Sequence, residues 1–362
     1  MVQTGIKTPG MYTAVNINTQ RAGLPANTHK VLFLTSDTKV MTQPVAIYDE
    51  ADADDKIAAN SAMSKMIKAA VKTNRLIDAY GLTLQMDTAQ VPAVDLDSTL
   101  DIIEPLGHTI IALNSAPAVG DDTEAYIDHL NFVSDAIEQR PAILVVPFTD
   151  IETATLFAAQ ANVETSYRVI AVCYHGATGQ EAEIAGAMAA ALADSNDPAV
   201  PFNGVNLGGV SAVEDRFKLT FERQERALKA GVCIIATGAD GKPEIVRAVS
   251  TYRKNPDTGI ADDIMLDING ALTIDYVRQV MRTAASKERR RKNTAAARRN
   301  LRSIFLVEAL KLDRAEILQN VEATKGELTV TEDATDRYRV NAAIPSDWVR
   351  GMHVIAATLN VY

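Results

Sequence analysis

The chain lacks the marks of a membrane protein, a disulfide scaffold or a metalloprotein. No window reaches the ~18 uninterrupted apolar residues that a membrane-crossing helix needs, although 47% of its 362 residues are hydrophobic. The opening MVQTGIKTPGMYTAV has no basic start followed by an apolar run, so no secretory leader is expected. Two cysteines, Cys173 and Cys233, each sit in an apolar strand-like run, which suits buried thiols in a reducing compartment and excludes a disulfide framework. Five histidines (His29, His108, His129, His175 and His353) are scattered, and none forms an HxxxH or HExxH pair for a metal. GxxxxGK[ST] is absent, so no P-loop phosphate cradle is expected. A soluble protein made in the cytosol remains, with no cofactor, no metal and no membrane insertion.

What the chain does have is a regular alternation from residue 31 onward. Val31–Thr35 reads as a buried strand, and an acidic stretch precedes a helix near 61–80, where Met63, Met66, Ile67, Ala70, Val71 and Ile77 share a face and Gly81 ends it. Strand patterns follow at 82–86, 108–113, 142–148 and 167–174, and helix patterns at 123–139, 151–161 and 181–193. Apolar strands alternating with helices predict a largely parallel sheet covered on both faces. Residues 25–200 are therefore expected to form an α/β domain.

Asp194–Gly209 holds two prolines and three glycines and reads as a linker. Beyond it, a helix at 214–230, a hairpin of 232–237 with 244–252, long helices at 273–292 and 301–319 and a β-rich end from Glu327 predict an α+β domain over 201–345. The fold class expected is thus α/β plus α+β, two domains with terminal arms at 1–24 and 346–362. Met11, Tyr12, Thr13, Ala14, Val15, Asn16 and Ile17 alternate after the Pro9-Gly10 break. His353, Val354, Ile355, Ala356, Ala357, Thr358, Leu359, Asn360 and Val361 alternate to the chain end. A terminal strand can complete its own sheet or pair with a neighbour's open edge. On alternation alone, the intramolecular option is favoured.

Charge is uneven. Residues 1–200 hold 11 Lys/Arg against 25 Asp/Glu, and residues 201–362 hold 25 against 21. Lys287, Arg289, Arg290, Arg291, Lys292, Arg298, Arg299 and Arg302 crowd eight cations into sixteen residues, with Glu288 the single acid. Neither aromatic interleaving nor an overall basic charge accompanies them, so nucleic acid is not the expected partner. A solvated helix end and a contact with an acidic protein surface remain as readings. For chemistry, the Gly176-Ala177-Thr178-Gly179 loop after Tyr174 lies where an α/β fold binds ligands. Cys173 and His175 point the same way on a strand, but no third orienting group accompanies them. Gly204–Gly209 reads as a turn.

Across 220–280 the order of residues resembles the contractile tail sheath family, particularly sheaths of Mu-like phages. The resemblance is carried by Thr220-x-Glu222-Arg223 with Leu228 and Gly231, Asp240-Gly241 before Arg247-x-x-x-Thr251-Tyr252, Asp262-Asp263-x-x-Leu266-Asp267-Ile268, and Asp275-Tyr276-x-Arg278. Asn203–Val210 is similar to the family's linker, and Pro9-Gly10-Met11-Tyr12 to its Pro-Gly-Val-Tyr opening. After the long helix, an Arg/Lys/Ala run stands where the family often has proline. The resemblance implies a non-enzymatic subunit of a virion tail, assembled in the host cytoplasm as stacked hexameric rings around a tail tube. It implies partners in other copies of itself, the tube protein, and baseplate and tail terminator proteins. It also implies that both terminal arms donate strands to neighbours, which reverses the preference drawn from alternation alone; the concentration of charge in an otherwise acidic chain then places the tube-facing surface within about 287–320, through the basic run or the following helix. The alternative is an α/β small-molecule-binding protein or enzyme using the loop after Tyr174.

Overall fold

The computed structural model describes residues 23–39, 41–87, 93–118, 120–288 and 290–360. Met11–Ile17, Arg289 and Val361 lie outside the described residues. In chain order the strands are β1 (Val31–Thr35), β2 (Val45–Ala46), β3 (Ala79–Thr83), β4 (Gln85–Asp87), β5 (Ala93–Asp95), β6 (Ile110–Leu113), β7 (Ile143–Phe148), β8 (Val169–Cys173), β9 (Val232–Thr237), β10 (Pro243–Arg247), β11 (Leu318–Gln319), β12 (Thr329–Glu332), β13 (Val340–Ala343) and β14 (Asp347–Trp348). The helices are α1 (Glu50–Lys56), α2 (Ala62–Thr73), α3 (Leu96–Ile103), α4 (Asp121–Val133), α5 (Ile151–Ala158), α6 (Glu181–Ala193), α7 (Phe221–Lys229), α8 (Ile268–Ser286), α9 (Ala295–Arg314) and α10 (Val321–Thr324).

Helices begin where short polar side chains can hold free backbone N–H groups. Asp49, Ser61, Asp95, Asp150, Thr220 and Thr294 each accept a hydrogen bond from an amide three residues on. Strands β1, β6, β7 and β8 are buried along their whole length, as expected of strands covered on both faces. Among the described residues, eight strands form one sheet in the order β10-β9-β8-β7-β6-β1-β3-β2. The six from β9 to β3 are parallel, and antiparallel β10 and β2 close the two edges.

The expected parallel sheet is present, but the boundary at 200/201 does not divide it. β9, assigned from sequence to a second domain, pairs parallel to β8 through Ala171 with Val232 and Cys173 with Ile234. Its first four residues are fully buried, so it needs an interior place that a lone hairpin cannot supply. One hydrophobic core runs from Val31 to Leu272 and a second from Tyr276 to Trp348. The cores meet inside α8, whose first turns belong to one and whose later turns to the other.

Several boundaries also move. α2 ends at Thr73 rather than near Tyr80. Gly81 lies inside β3 and is no helix stop: a Cβ there would stand 2.6 Å from Met63 Sδ, so the glycine lets α2 rest on the sheet. α4 ends at Val133, which leaves Ile137 in a turn and 83% exposed instead of on an apolar helix face. α7 starts at Phe221, α8 runs from Ile268 to Ser286, and α9 starts at Ala295. Residues 353–360 belong to no strand of their own chain.

Candidate assembly surface

The second core is tied to the sheet by charged side chains on or beside α8. Arg168, just before β8, donates to both oxygens of Asp275 at 2.8 and 3.0 Å, and only 3% of the arginine side chain is exposed. One turn on, Arg278 donates to the carbonyls of Ser134 and Asp135, and Arg282 donates to that of Gln139. These carbonyls lie in the turn that follows α4. Just before Arg282, Val280 and Met281 of α8 share the second core with Phe305, Ala309 and Leu312 of α9.

The basic run does not form one face. Arg298 pairs with Glu332 at 3.0 Å and donates to Asn293 Oδ1 at 2.7 Å. Arg302 donates to the carbonyls of Leu328 and Lys325, both at 2.7 Å. These two arginines hold the entry of the β12–β13 hairpin against α9. Arg291 pairs with Glu288. Lys287, Arg290, Lys292 and Arg299 are exposed and have no ion pair among the described residues. Spacing alone hid the division, because α9 turns Arg298 and Arg302 inward and Arg299 outward.

β12 and β13 pair antiparallel from Thr329 with Ala343 to Glu332 with Val340, and among the described residues no further strand pairs with either. Both strands are mostly exposed. Their turn is organised by Asp333, whose carboxylate accepts from the backbone of Thr335 and Asp336 and from the Asn341 side chain. Those bonds hold its pKa well below the usual carboxylate range.

The roots of both terminal segments converge on the 194–209 linker. Near the N-terminus, Asn27 donates to the Ser195 carbonyl at 2.8 Å, and Tyr276 donates to the Pro25 carbonyl at 2.7 Å. Asn269 of α8 donates to the carbonyls of Pro198 and Val200, both at 2.8 Å. Near the C-terminus, Val349 N–H bonds the Ile317 carbonyl, and His353 contacts Asn203. Past His353, Val354, Ile355 and Leu359 are 82%, 81% and 91% exposed.

The candidate chemistry around Tyr174 is structural in character. Cys173 is buried and its thiol is pushed up by burial; Cys233 is pushed up to about 12 for the same reason. Neither is an activated thiolate. His175 Nδ1 faces the Ile151 amide at 3.4 Å, at the start of α5, so its polar atom serves that helix end. Tyr174 Oη shares a bond with Thr237 Oγ1 at 2.8 Å and accepts from Val213 N–H. These groups line a cleft of about 200 Å³. In a doubly wound sheet, ligands bind where strand order reverses, here between the ends of β1 and β6. That crevice is closed by Ser36 and Asn114, which exchange hydrogen bonds at 3.1 and 3.0 Å. Gly208 and Gly209 press on α2, with a Cβ at Gly209 falling 2.6 Å from Ala69 Cα, so this glycine run serves packing. Among the described residues, no helix is long and apolar enough to cross a membrane.

Contractile sheath subunits of known structure share this fold. The chain is similar to the anti-feeding prophage helical sheath in the contracted state, at 16% identity and TM-score 0.64, covering 98% of this chain and 99% of that one. It is similar to a sheath tail protein of Desulfitobacterium hafniense, at 13% identity and TM-score 0.64, covering 94% and 97%. It is also similar to the sheath of an extracellular contractile injection system, PVC, in the contracted state, at 14% identity and TM-score 0.65, covering 99% and 98%. At such identities these likenesses define the fold. The family model for the phage tail sheath C-terminal domain matches residues 261–362, which take in the last motifs of the resemblance, from Asp262 to Arg278. The family model covers the C-terminal part of the chain, and the solved structures show the fold. No curated protein sequence matches.

Proposed function

We propose that the chain is the repeating structural subunit of a contractile phage-type tail sheath, without enzymatic activity. It polymerises as helically stacked hexameric rings around a tail tube and contracts to drive that tube through a host envelope. The particle is a phage tail or a tailocin, assembled in the host cytoplasm, in which baseplate and tail terminator proteins bound the polymer. The observation that carries this reading is the family match over 261–362, joined to a tail at 354–360 whose Val354, Ile355 and Leu359 are exposed and which pairs with no strand among the described residues.

In this assembly the arms at 11–17 and 353–361 add strands to a neighbour's sheet. The β12–β13 hairpin is the natural receiver, since two short strands with both outer edges open gain from backbone partners on either side. Shared-sheet hydrogen bonds tolerate rigid-body reorientation of the bodies they link. Head-to-tail contacts of this kind produce open helical polymers. With no nucleotide hydrolysed, contraction draws on two packings that differ by roughly a few kcal/mol per subunit, summed over many subunits. The exposed cations Lys287, Arg290, Lys292 and Arg299, with Arg289, face the tube, and the acidic part of the sheet body, within residues 25–200, sits outside, joined to the rest through β9 and β10.

The test is removal of 353–362. The truncated chain should stay folded and monomeric by size exclusion and form no tubes or stacked rings in negative stain. Normal tubes from the truncated chain would refute the strand-donation scheme.

A further inference from the structure

At the amino ends of β1, β6 and β7, the end of the sheet opposite the Ser36–Asn114 crevice, a cleft of about 260 Å³ opens between the sheet and α8. It spans the meeting of the two cores, since Leu272 of the first and Tyr276 of the second both line it. The buried side chains of Ile143 and Leu272 give it an apolar wall.

Charge in this cleft is one-sided. Arg140 and Arg282 line it, and among the described residues Asp275 is the single carboxylate that does. Both oxygens of Asp275 are already taken by Arg168. Arg282 donates to neutral oxygens alone: the Arg278 carbonyl at 3.2 Å, and the carbonyl and side-chain oxygen of Gln139 at 2.8 and 3.2 Å. Arg140 pairs with Glu138 through one terminal nitrogen and keeps its Nε buried without an acceptor among the described residues. Gln139 sits at φ +57°, a left-handed conformation uncommon outside glycine, and the two bonds from Arg282 hold it there. Backbone strain of this kind gathers at ligand clamps.

We propose that this cleft binds a small organic carboxylate, its anionic end on Arg282 and Arg140 and its short apolar body against Ile143 and Leu272. A guanidinium presents a planar fork of donors that matches the two oxygens of a carboxylate. Arg282 is half-buried, so an anion beside it is screened less than in open water. The apolar wall favours an organic acid over a bare inorganic anion. A volume of about 260 Å³ falls below the ~300–1,000 Å³ of drug-sized pockets, which limits the guest to a few carbons. Seated between Ile143 of the sheet and Arg282 of α8, the guest bridges the two elements and stiffens the junction where one core gives way to the other.

Butyrate is the probe, added to the full chain held as dilute subunits, with butyramide as its neutral counterpart and inorganic phosphate at matched ionic strength. Butyrate should raise the melting temperature saturably and move the backbone amide signals of Leu272 and Tyr276, with a roughly millimolar Kd for so small a ligand. Neither control should do so. R282Q should weaken binding by about tenfold or more. Gln279 lines the cleft, and its side-chain amide makes no hydrogen bond among the described residues. Gln279→Glu supplies a carboxylate from the chain itself, so this variant should melt higher than wild type and no longer respond to butyrate. Absence of a saturable butyrate response overturns the proposal, as does an equal response to phosphate or an undiminished response in Gln279→Glu. If R282Q fails to fold, Gln279→Glu decides. Binding is read on subunits alone, so its failure leaves the sheath reading standing, and failure to polymerise leaves the carboxylate site standing.

Discussion

Arg168 and Asp275 meet face to face through two parallel hydrogen bonds of 2.8 and 3.0 Å, and they join the sheet that holds the first core to the helix that enters the second. A buried pair of this kind is defended less by its attraction than by the cost of leaving one charge alone. Asp275→Ala should destabilise the fold by about 3–5 kcal/mol, because the guanidinium loses its counter-charge. Replacing both partners, Arg168→Met with Asp275→Leu, should cost clearly less. Urea unfolding of the two variants checks the order; equal losses would contradict it.

Arg299 and Arg302 are three residues apart and should behave oppositely. Arg302→Ala removes two charge-assisted bonds that hold 325–328 and should cost about 1–3 kcal/mol. Arg299→Glu changes an exposed side chain and should stay within about 0.5 kcal/mol of wild type while weakening attachment to a tube. Thermal unfolding and co-sedimentation with tubes separate the two effects. A reversal set for the tube face is therefore Arg290, Lys292 and Arg299, since Arg298 and Arg302 would confuse folding with binding.

Gly186 sits mid-helix in α6, where alanine would normally gain about 1 kcal/mol of helix propensity. Here a Cβ would lie 2.2 Å from the Met66 carbonyl oxygen of α2. Steric conflict with backbone outweighs propensity, and Gly186→Ala should destabilise by about 1–3 kcal/mol. A rise in melting temperature would show that α2 and α6 can separate freely.

His108 and His129 are buried, and burial is the first cause that pushes both down to about 4. Between that value and the ordinary 6.5, the unfolded chain binds more protons than the folded one, so stability rises with pH across this window. Their contribution is complete above 6.5 and is lost as the solution is acidified toward 4. His129→Leu should flatten that slope, measured by urea unfolding at several pH values. An unchanged slope would remove His129 from the account.

Much of this protein was legible from residues alone. Fully apolar runs such as Val31–Leu34 and Ile143–Val146 read as interior strands, and helices near Ser61 and from Ile151 are placed by their apolar spacing, whereas α9 begins at Ala295, before the expected 301. The ordered motifs from Thr220 to Arg278 pointed to a sheath before any coordinates, and the family match over 261–362 supports that reading. These signals are local: each depends on residues a few positions apart.

What only the tertiary structure decided depends on residues far apart in sequence. Val232–Ile235 reads as half of a hairpin, and it does pair with β10, but only its further pairing with β8 shows that one sheet crosses the expected domain boundary. Gly81 resembles a helix stop until Met63 is seen above it. The basic run resembles one patch until α9 presents Arg302 to the Leu328 carbonyl and Arg299 to solvent. Periodicity and capping act within one turn or one strand and so are written in the chain; strand neighbours, close helix approach and the partner of a long cation are set by packing between segments, which no local pattern encodes.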